Sequence, residues 1–323
     1  MNISVLGSGR WGSFLAWYTS VTLGYKVCIW GRNTSQSFAS LKDNRKNEYV
    51  TIPDNVIFTN DINEALAFSD VILISITSQY LRDLCNTIKN CTDIYKSKTF
   101  VLCMKGLEEE SGMRLTQVVE DVLSNEVHTA IWIGPGHAEN MTKGVPNCML
   151  IDSNNDDLTR DLVHVFGSPL IRFYYGQDII GNEVGAASKN VIGIAAGILD
   201  GIDKPSLKGI LMARGPYEIS KLVTAMGGNF RTVYGLSHLG DYEATLFSPY
   251  SKNRRHGEMI MQGKTPSFVA EGVSTARSLH LLSNKYKVEL PICTAVYDAL
   301  EGIDSPDQHL LEMFKRTIKY EFE

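Results

Sequence analysis

The fold is decided near the start of the chain, by the segment LGSGRWGSF at residues 6–14. Three glycines in G-x-G-x-x-G spacing follow an apolar run and precede a helical pattern. In such a turn Gly7 permits the tight bend, Gly9 lets the backbone approach a pyrophosphate, and Gly12 lets the helix pack on the strand. The pattern therefore predicts a strand, turn and helix whose N-terminal amides face a bound dinucleotide. The expected cofactor contacts are Gly7, Ser8, Gly9, Arg10, Trp11 and Gly12.

The second predicted strand bears on which dinucleotide is bound. An acidic residue about 20 positions after the glycines would hold the ribose hydroxyls of NAD. That strand instead ends CIWGRN, and Arg32 in this place suits the 2′-phosphate of NADP. NADP(H) is therefore slightly favoured over NAD(H). Both stay open, because a solvated loop arginine would select neither.

Up to about residue 178, short apolar runs alternate with helical patterns such as RWGSFLAWYTSVT and SQYLRDLCNTIKN. Buried apolar strands that alternate with helices indicate a mostly parallel sheet. The strand segments are ISVLG, KVCIWG, DVILISI, TFVLCMKG, TAIWIGPG, CMLID and LIRFYY.

After residue 178 the strand patterns almost vanish. We therefore expect an α/β fold in which a Rossmann-type doubly wound sheet, residues 1–178, binds the dinucleotide. An all-helical substrate and catalytic domain is expected at residues 179–323. Its last three helices are expected to begin at or just after a proline, which a first helical turn tolerates. The helical segments are GNEVGAASKNVIGIAAGILDG, PSLKGILMARGPYEISKLVTAMG, PSFVAEGVSTARSLHLLSNKY, PICTAVYDALEG and SPDQHLLEMFKRTIKYEF.

The composition is that of an ordinary globular chain, with 44% hydrophobic and 21% charged residues over 323 positions. A net charge of −5 argues against a general nucleic-acid binder, which is usually basic. No apolar run approaches the roughly 18 residues of a membrane span, and the early first strand leaves no room for a signal peptide. The six cysteines form no CxxC pair. We expect a cytoplasmic protein with neither a disulfide framework nor a metal site.

The helix segment GNEVGAASKNVIGIAAGILDG has an unusual distribution of glycine. Gly181, Gly185, Gly193 and Gly197 are spaced four apart, and Lys189 occupies the missing step. Each glycine costs a helix roughly 1 kcal/mol relative to alanine. Gly185 and Gly193 flank Lys189 by one turn, so they would let substrate or nicotinamide lie against the helix within the lysine's reach. Close packing of another helix needs the same small residues, and the two explanations are compatible.

Several segments, in order along nearly the whole chain, resemble one family, the bacterial-type NAD(P)-dependent glycerol-3-phosphate dehydrogenases. The resemblance implies an oxidoreductase that reduces dihydroxyacetone phosphate to sn-glycerol 3-phosphate and so supplies phospholipid synthesis. It also implies a homodimer. The matching segments are GSGRWGSFLA, VCIWGRN, CMKGLE, GPGHAENM, NEVGAASKNVIGIAAGILDGI, LGDYEAT, SKNRRHGEMI and VAEGVSTA.

The resemblance assigns roles to individual positions. Lys189 matches the catalytic proton donor, and Asp241 matches a substrate-site aspartate. Lys105 matches a lysine near both substrate and cofactor. The resemblance also matches Gly134, Ser251, Asn253 and Arg254 to substrate positions, and we further expect substrate contacts at Asn190 and at the departing residues Gly136 and Lys252. It matches Ala138, Val269 and Glu271 to cofactor contacts, and we further expect cofactor contacts at Arg32 and Lys252.

The chain departs from the family pattern in four places, three of which lie where substrate is expected. Two alternatives therefore stay open: a dehydrogenase for another phosphorylated or acidic 2-ketone, and a non-catalytic NAD(P)-binding regulatory protein on the same fold. The departures are Gly136-His137 for Ser or Thr and then Phe, His238 in place of the first glycine of GLGD, Lys252 for arginine, and Thr77 for proline.

The residues themselves support this chemistry. Lys189 lies among alanine, valine and isoleucine, where a lysine is costly unless it is paired. Burial would lower its pKa toward that of a proton donor at neutral pH, and Asp241 would orient it while opposing too deep a lowering. Asn190 is either a substrate ligand or a buried packing amide. Glu183 is expected to be a first-turn helix charge.

The segment SKNRRHG concentrates basic residues in an acidic chain. We expect a short polar loop that binds a phosphate monoester, with arginine as a bidentate donor. A solvated basic loop is the alternative. Lys252 keeps the charge of the usual arginine but loses its planar fork, so a weaker phosphate or cofactor contact is expected.

Overall fold

The computed structural model describes residues 1–91, 93–303 and 320–321 and, at Asn125, the backbone alone. The chain divides into two compact units. The first combines Met1–Met104 with Leu115–Ile179, and the second combines Lys105–Arg114 with Ile180–Glu323. The segment Lys105–Arg114 therefore belongs to the second unit, whereas a single division at residue 178 would leave it in the first. The helix expected from SPDQHLLEMFKRTIKYEF lies outside the described residues, apart from positions 320 and 321.

The first unit contains an eight-stranded sheet in the order β3-β2-β1-β4-β5-β6-β7-β8. Neighbouring strands pair in parallel except β6 with β7, which confirms the predicted mostly parallel sheet. The strand order reverses between β1 and β4, and open α/β sheets bind ligands beyond the carboxyl ends of strands at such a switch point. The strands are β1 Asn2–Leu6, β2 Lys26–Trp30, β3 Ile57–Thr59, β4 Val71–Ile74, β5 Thr99–Leu102, β6 His128–Ile133, β7 Asn147–Asp152 and β8 Ile171–Tyr175.

Helices cover this sheet and bury its apolar strands. The buried core includes Ile3 and Val5 of β1 and Phe14 and Leu15 of the first helix, all with no exposed surface. Three of these helices begin at side-chain caps: Ser35 accepts a hydrogen bond from the amide of Phe38, and Asp61 and Asn155 cap the third and the last helix in a similar way. The helices are α1 Arg10–Trp17, α2 Gln36–Asn44, α3 Ile62–Phe68, α4 Leu81–Lys89, α5 Leu115–Leu123, α6 Ala138–Met141 and α7 Asp156–Phe166.

The second unit has only helices as regular elements among its described residues, apart from the segment Lys105–Arg114, which forms a turn closed by an isolated antiparallel bridge between Leu107 and Arg114. Two details of the prediction are wrong. The helix expected to start at Pro266 begins at Glu271, and the segment SKNRRHG is not a loop but the first turns of a helix that Ser251 caps by accepting from the amide of Arg254. The helices are α8 Ile179–Gly201, α9 Lys208–Ala225, α10 Lys252–Met261, α11 Glu271–Tyr286 and α12 Pro291–Glu301.

The glycine row of α8 contacts other parts of the second unit. A Cβ at Gly193 would lie 2.7 Å from the methyl carbon of Thr245, and one at Gly197 would collide with the carbonyl of Arg254 on α10. Gly257 of α10 faces back in the same way, against the carbonyl of Ile194. At Gly193 the structure therefore contradicts a surface cleared for a ligand, because the side chain of Thr245 occupies that space. At Gly197 the backbones of α8 and α10 approach too closely for any Cβ, which supports the explanation by close packing.

Among the described residues, no helix is both long enough and apolar enough to span a bilayer. The six cysteines are free thiols, and Cys28, Cys85, Cys103 and Cys293 are buried.

Candidate active site

The centre of the candidate site is Lys189, near the middle of α8 in the second unit. Its side chain is 9% exposed. Nζ lies 2.9 Å from Oδ2 of Asp241 and donates a 2.8 Å hydrogen bond to Oγ1 of Thr245. An ammonium has three N–H donors, so one remains to donate to a ligand oxygen.

Asp241 connects this lysine to a second one. Its carboxylate is 2% exposed, and Oδ2 lies 2.5 Å from Nζ of Lys105 as well as 2.9 Å from Nζ of Lys189. Two ammonium groups therefore share one carboxylate, and the cluster carries a net charge of about +1 when both lysines are protonated. Such a buried cluster favours an oxygen that becomes negatively charged beside it.

The surroundings shift the pKa values of the cluster. Burial lowers the pKa of Lys189 to about 8, although the charge of Asp241 partly offsets the lowering. Burial by itself would raise the pKa of Asp241, but the ammonium groups of Lys105 and Lys189 outweigh it and hold that pKa below its ordinary value. Near neutral pH, Lys189 is therefore a protonated donor that can lose its proton easily, beside an ionised carboxylate.

Thr245 is a member of the cluster that our sequence reasoning missed. Its hydroxyl accepts from Lys189 and donates a 2.7 Å hydrogen bond to the backbone carbonyl of Asp241. The signal was present, because Thr245 follows Asp241 by four positions, the spacing that aligns residues on one side of a helical turn.

His238, a departure from the family pattern, is fully buried next to the cluster. Its Nδ1 lies 2.7 Å from the carbonyl of Gly185, and its Nε2 lies 2.7 Å from the hydroxyl of Tyr242. A carbonyl can only accept, so Nδ1 carries the hydrogen and the neutral ring accepts from the tyrosine at Nε2. Burial lowers the pKa of His238 to about 4, with the Gly185 hydrogen bond opposing the shift.

Glu183 is not the first-turn helix charge that we expected, because α8 begins at Ile179 and the side chain is buried in an ion pair. Its side chain is 4% exposed, and Oε2 lies 2.5 Å from Nη1 of Arg114, which is 10% exposed. Breaking such a buried pair from one side would leave an uncompensated charge, which is strongly destabilising. The pair ties the segment that carries Lys105 to α8, which carries Lys189.

Asn190 and Asn253 join three helices of the second unit. The side-chain amide of Asn253 donates a 2.9 Å hydrogen bond to Oδ1 of Asn190, and its carbonyl oxygen accepts from the amide of Gly272 at 2.9 Å. Asn190 is 5% exposed. These contacts support its packing role.

The other positions assigned to phosphate or cofactor lie around α10 and α11. Lys252 is exposed at the start of α10. Arg254 already has protein partners, because Nη1 lies 2.5 Å from Asp200 and 3.5 Å from Glu258, and Nε donates to the carbonyl of Ser248. Val269 is exposed, and Glu271 is the first residue of α11.

The glycine turn in the first unit has the geometry that a dinucleotide requires. Gly7 has φ +120°, and a Cβ there would collide with the carbonyl of Ser75, whereas a Cβ at Gly12 would collide with the carbonyl of Gly7. Gly9 has no atom within 4 Å of its Cβ position. The first helical hydrogen bond runs from Ser13 to Gly9, so the amides just before it are the donors that a helix N-terminus offers to a phosphate. These residues fit the pyrophosphate of NAD(P).

The side chains of that turn contact their own unit. Ser8 is buried, the Arg10 guanidinium pairs with Glu139, and Trp11 stacks on Phe14 with ring centroids 4.9 Å apart.

The remaining predicted positions of the first unit follow strands β2 and β6. Arg32 is exposed, with its guanidinium 5.2 Å from the ring centroid of Tyr80. Gly134 has φ +135°, and Ala138, 1% exposed, begins α6. A Cβ at Gly136 would lie 3.2 Å from the methyl of Met141. The Ser or Thr usual at that position would therefore be crowded here.

Two family domains match this chain over most of its length. Residues 2–159 match the NAD-dependent glycerol-3-phosphate dehydrogenase N-terminus, and residues 178–311 match the C-terminus of the same family.

Individual relatives carry the same name. A glycerol-3-phosphate dehydrogenase [NAD(P)+] from Fusobacterium nucleatum is 35% identical, over 100% of this chain and 99% of that protein. One from Syntrophomonas wolfei is 33% identical, over 99% of this chain and 96% of that protein. The crystal structure of a glycerol-3-phosphate dehydrogenase from Coxiella burnetii is 27% identical with a TM-score of 0.89, over 98% of this chain and 99% of that one.

Proposed function

The chain belongs to the NAD-dependent glycerol-3-phosphate dehydrogenase family, and from that premise we propose that it reduces dihydroxyacetone phosphate to sn-glycerol 3-phosphate, reversibly, with NAD(P)H. The observation that carries the proposal is the buried cluster of Lys189, Asp241 and Lys105, with Oδ2 of the aspartate 2.9 Å and 2.5 Å from the two ammonium nitrogens. A ketone reductase needs a proton donor and positive charge at the ketone oxygen, and the cluster has both.

Lys189 is the proton donor of the proposed reaction. A bound nicotinamide supplies the hydride in reduction and accepts it in oxidation. In reduction the ketone oxygen gains negative charge and takes the proton of Nζ, so that Lys189 is left as the neutral amine. In the reverse direction the neutral amine of Lys189 removes the hydroxyl proton. A pKa of about 8 suits both directions near neutral pH.

Asp241 and Lys105 support that step. Asp241 accepts from both lysines and holds the Lys189 ammonium in a fixed direction. Lys105 adds a second positive charge that stabilises the developing alkoxide. The pairing of Arg114 with Glu183 keeps the Lys105 segment against α8, so the two lysines keep their relation to the shared carboxylate.

The start of α10 is the proposed phosphate site. Ser251, Lys252 and Asn253 lie at a helix N-terminus, where the backbone dipole favours an anion. Lys252 is exposed there and supplies a point charge without the fork of an arginine. Arg254 holds Asp200 and Glu258 through Nη1, so its Nη2 is the nitrogen that can donate to a phosphate while those contacts are kept.

The first unit is the proposed cofactor-binding domain and the second the proposed substrate and catalytic domain. Arg32 supports a slight preference for NADP(H), since a guanidinium at the end of β2 suits a 2′-phosphate. The resemblance further supports cofactor contacts by Lys105, Ala138, Lys252, Val269 and Glu271. It also supports a cytoplasmic homodimer that feeds phospholipid synthesis.

A steady-state assay that crosses NADPH and NADH with several keto-phosphates and 2-keto acids tests the proposal. We expect the highest kcat/KM with dihydroxyacetone phosphate, and with NADPH over NADH. No turnover at millimolar substrate with either cofactor would reject the proposed reaction. A preference for another ketone would favour the alternative that Gly136 and Lys252 leave open, and tight cofactor binding without activity would favour a regulatory protein.

A further inference from the structure

His238 and Tyr242 form a buried pair on the segment that carries Asp241. His238 is fully buried and Tyr242 is 1% exposed. The tyrosine hydroxyl lies 2.7 Å from Nε2, and the two rings meet edge-on with centroids 4.9 Å apart. Asp241 lies between them in sequence, and its amide donates a 3.0 Å hydrogen bond to the carbonyl of His238.

The other side of the histidine binds the backbone that positions Lys189. Nδ1 donates to the carbonyl of Gly185. In a continuous α-helix that carbonyl also accepts the amide of the residue four positions later, which is Lys189. One peptide group of α8 is therefore bonded both to the lysine's own backbone and to the segment of its carboxylate partner.

Glycine at position 185 makes this contact possible. A Cβ on Gly185 would lie 3.1 Å from Cβ of His238, closer than side chains normally approach. Removing the histidine ring would be costly, because the buried tyrosine hydroxyl would lose its partner and the Gly185 carbonyl would keep only its helical hydrogen bond. The hydrogen bond between α8 and the 238–242 segment is therefore short and lies in a buried environment.

We propose that His238 and Tyr242 are positioning residues, which set the distance between Asp241 and Lys189 without contacting substrate. The histidine ring acts as a neutral bridge: it donates at Nδ1, accepts at Nε2 and has no further nitrogen to offer. This inference rests on the proposed function for its kinetic consequence and on the geometry alone for its effect on Lys189.

The kinetic test compares three variants of the full chain. His238→Ala removes the bridge, and we expect kcat to fall about 10- to 100-fold, because small misplacements of a catalytic group are that costly. Tyr242→Phe removes only the outer hydrogen bond and should cost less. His238→Asn should restore much of kcat, since its side-chain amide can take the place of Nδ1 and donate to Gly185.

Val296→Ala is the matched control for simple loss of stability. Val296 is fully buried in the same core, so its truncation should destabilise the unit while leaving kcat of the folded enzyme unchanged. The proposal is wrong if His238→Ala retains the wild-type kcat, or if His238→Asn is no better than His238→Ala at equal folded fraction.

A second readout requires no turnover. The pH dependence of Lys189 acylation, measured by mass spectrometry on the protein without substrate, gives the pKa of that lysine among its charged neighbours Asp241, Lys105 and Glu271. In His238→Ala we expect the pKa to rise by about one unit, as loosened packing admits water to the ammonium. An unchanged pKa would overturn the positioning role. A shifted pKa in a protein inactive on dihydroxyacetone phosphate would reject only the proposed reaction.

Discussion

Nζ of Lys189 and Oδ2 of Asp241 lie 2.9 Å apart in a buried setting, and Nζ of Lys105 shares that oxygen at 2.5 Å. An isolated lysine at this depth would lose its proton readily, and an isolated carboxylate would gain one. The shared contact keeps the carboxylate ionised and leaves Lys189 with a pKa of about 8.

Replacing Lys189, the proposed proton donor, should stop the reaction without unfolding the chain. We expect Lys189→Met to lower kcat by about a hundred- to ten-thousand-fold while NAD(P)H binding, followed by fluorescence titration, is retained. Lys98→Met is the matched control, because Lys98 is also a buried lysine paired with an aspartate, Asp70, but belongs to the first unit. If Lys189→Met retained a near wild-type kcat, Lys189 would not be the proton donor.

The two directions of the reaction should depend oppositely on pH. Reduction needs protonated Lys189, so its kcat should fall as pH rises through about 8. Oxidation needs the neutral amine, so its kcat should rise through the same range. Initial rates measured in both directions from about pH 6 to pH 10 test this. The assignment would be refuted by a reduction rate that stays constant across that range.

Neutralising the carboxylate should shift this profile to lower pH. The charge of Asp241 raises the pKa of Lys189, and the charge of Lys105 lowers it. In Asp241→Asn the raising effect of the carboxylate is lost, while burial and Lys105 still lower the pKa of Lys189 and outweigh the smaller raising effect of Glu271, so that pKa should fall below about 8. The pH at which kcat of the reduction begins to fall should therefore decrease by about one pH unit or more, and kcat itself should be lower. An increase in that pH would contradict the proposed role of the aspartate.

Two glycines of the dinucleotide turn should differ in their effects. At Gly9 an added Cβ meets no atom within 4 Å, so Gly9→Ala should keep its melting temperature. Cofactor binding should nevertheless weaken about ten-fold, because the methyl group occupies space that a pyrophosphate needs. At Gly12 the Cβ collides with the Gly7 carbonyl, so Gly12→Ala should lose about 1–3 kcal/mol of unfolding free energy. Equal effects on binding and stability in both variants would contradict this.

The contact between α8 and α10 should tolerate no methyl group. Gly197→Ala should lose about 1–3 kcal/mol of unfolding free energy, because the Cβ meets the Arg254 carbonyl. Gly209→Ala in α9 is the control: no atom lies within 4 Å, and alanine favours a helix by about 1 kcal/mol. Chemical denaturation measures both. If Gly197→Ala had the wild-type free energy of unfolding, the two helices would be able to move apart without loss of stability.

The larger change Gly193→Leu should damage turnover as well as stability. Its side chain would displace Thr245, which accepts from Lys189. Gly185→Leu should act in the same way, through His238. If either variant retained the wild-type kcat and stability, a small residue would not be required at that position.

Local patterns predicted most of the fold. The strand, turn and helix around Gly7, Gly9 and Gly12 followed from glycine spacing between two clear periodicities, and seven of the sheet's strands followed from apolar runs. Strand β3, Ile57–Thr59, was missed because three residues are too few for a periodic signal. Helix α10 was missed because its basic residues obscure any apolar face, so the segment resembled a loop.

The sequence by itself determined the glycine turn, the mostly parallel sheet and the burial of Lys189, because each depends on backbone torsion or on polarity over a few neighbouring residues. Only the tertiary structure decided which groups meet: Lys105 with Asp241, Glu183 with Arg114, His238 with the carbonyl of Gly185, and the glycine row of α8 with α10. Those partners lie far apart along the chain. Their contacts arise from the close packing of α8 against segments distant in sequence, which no short segment specifies.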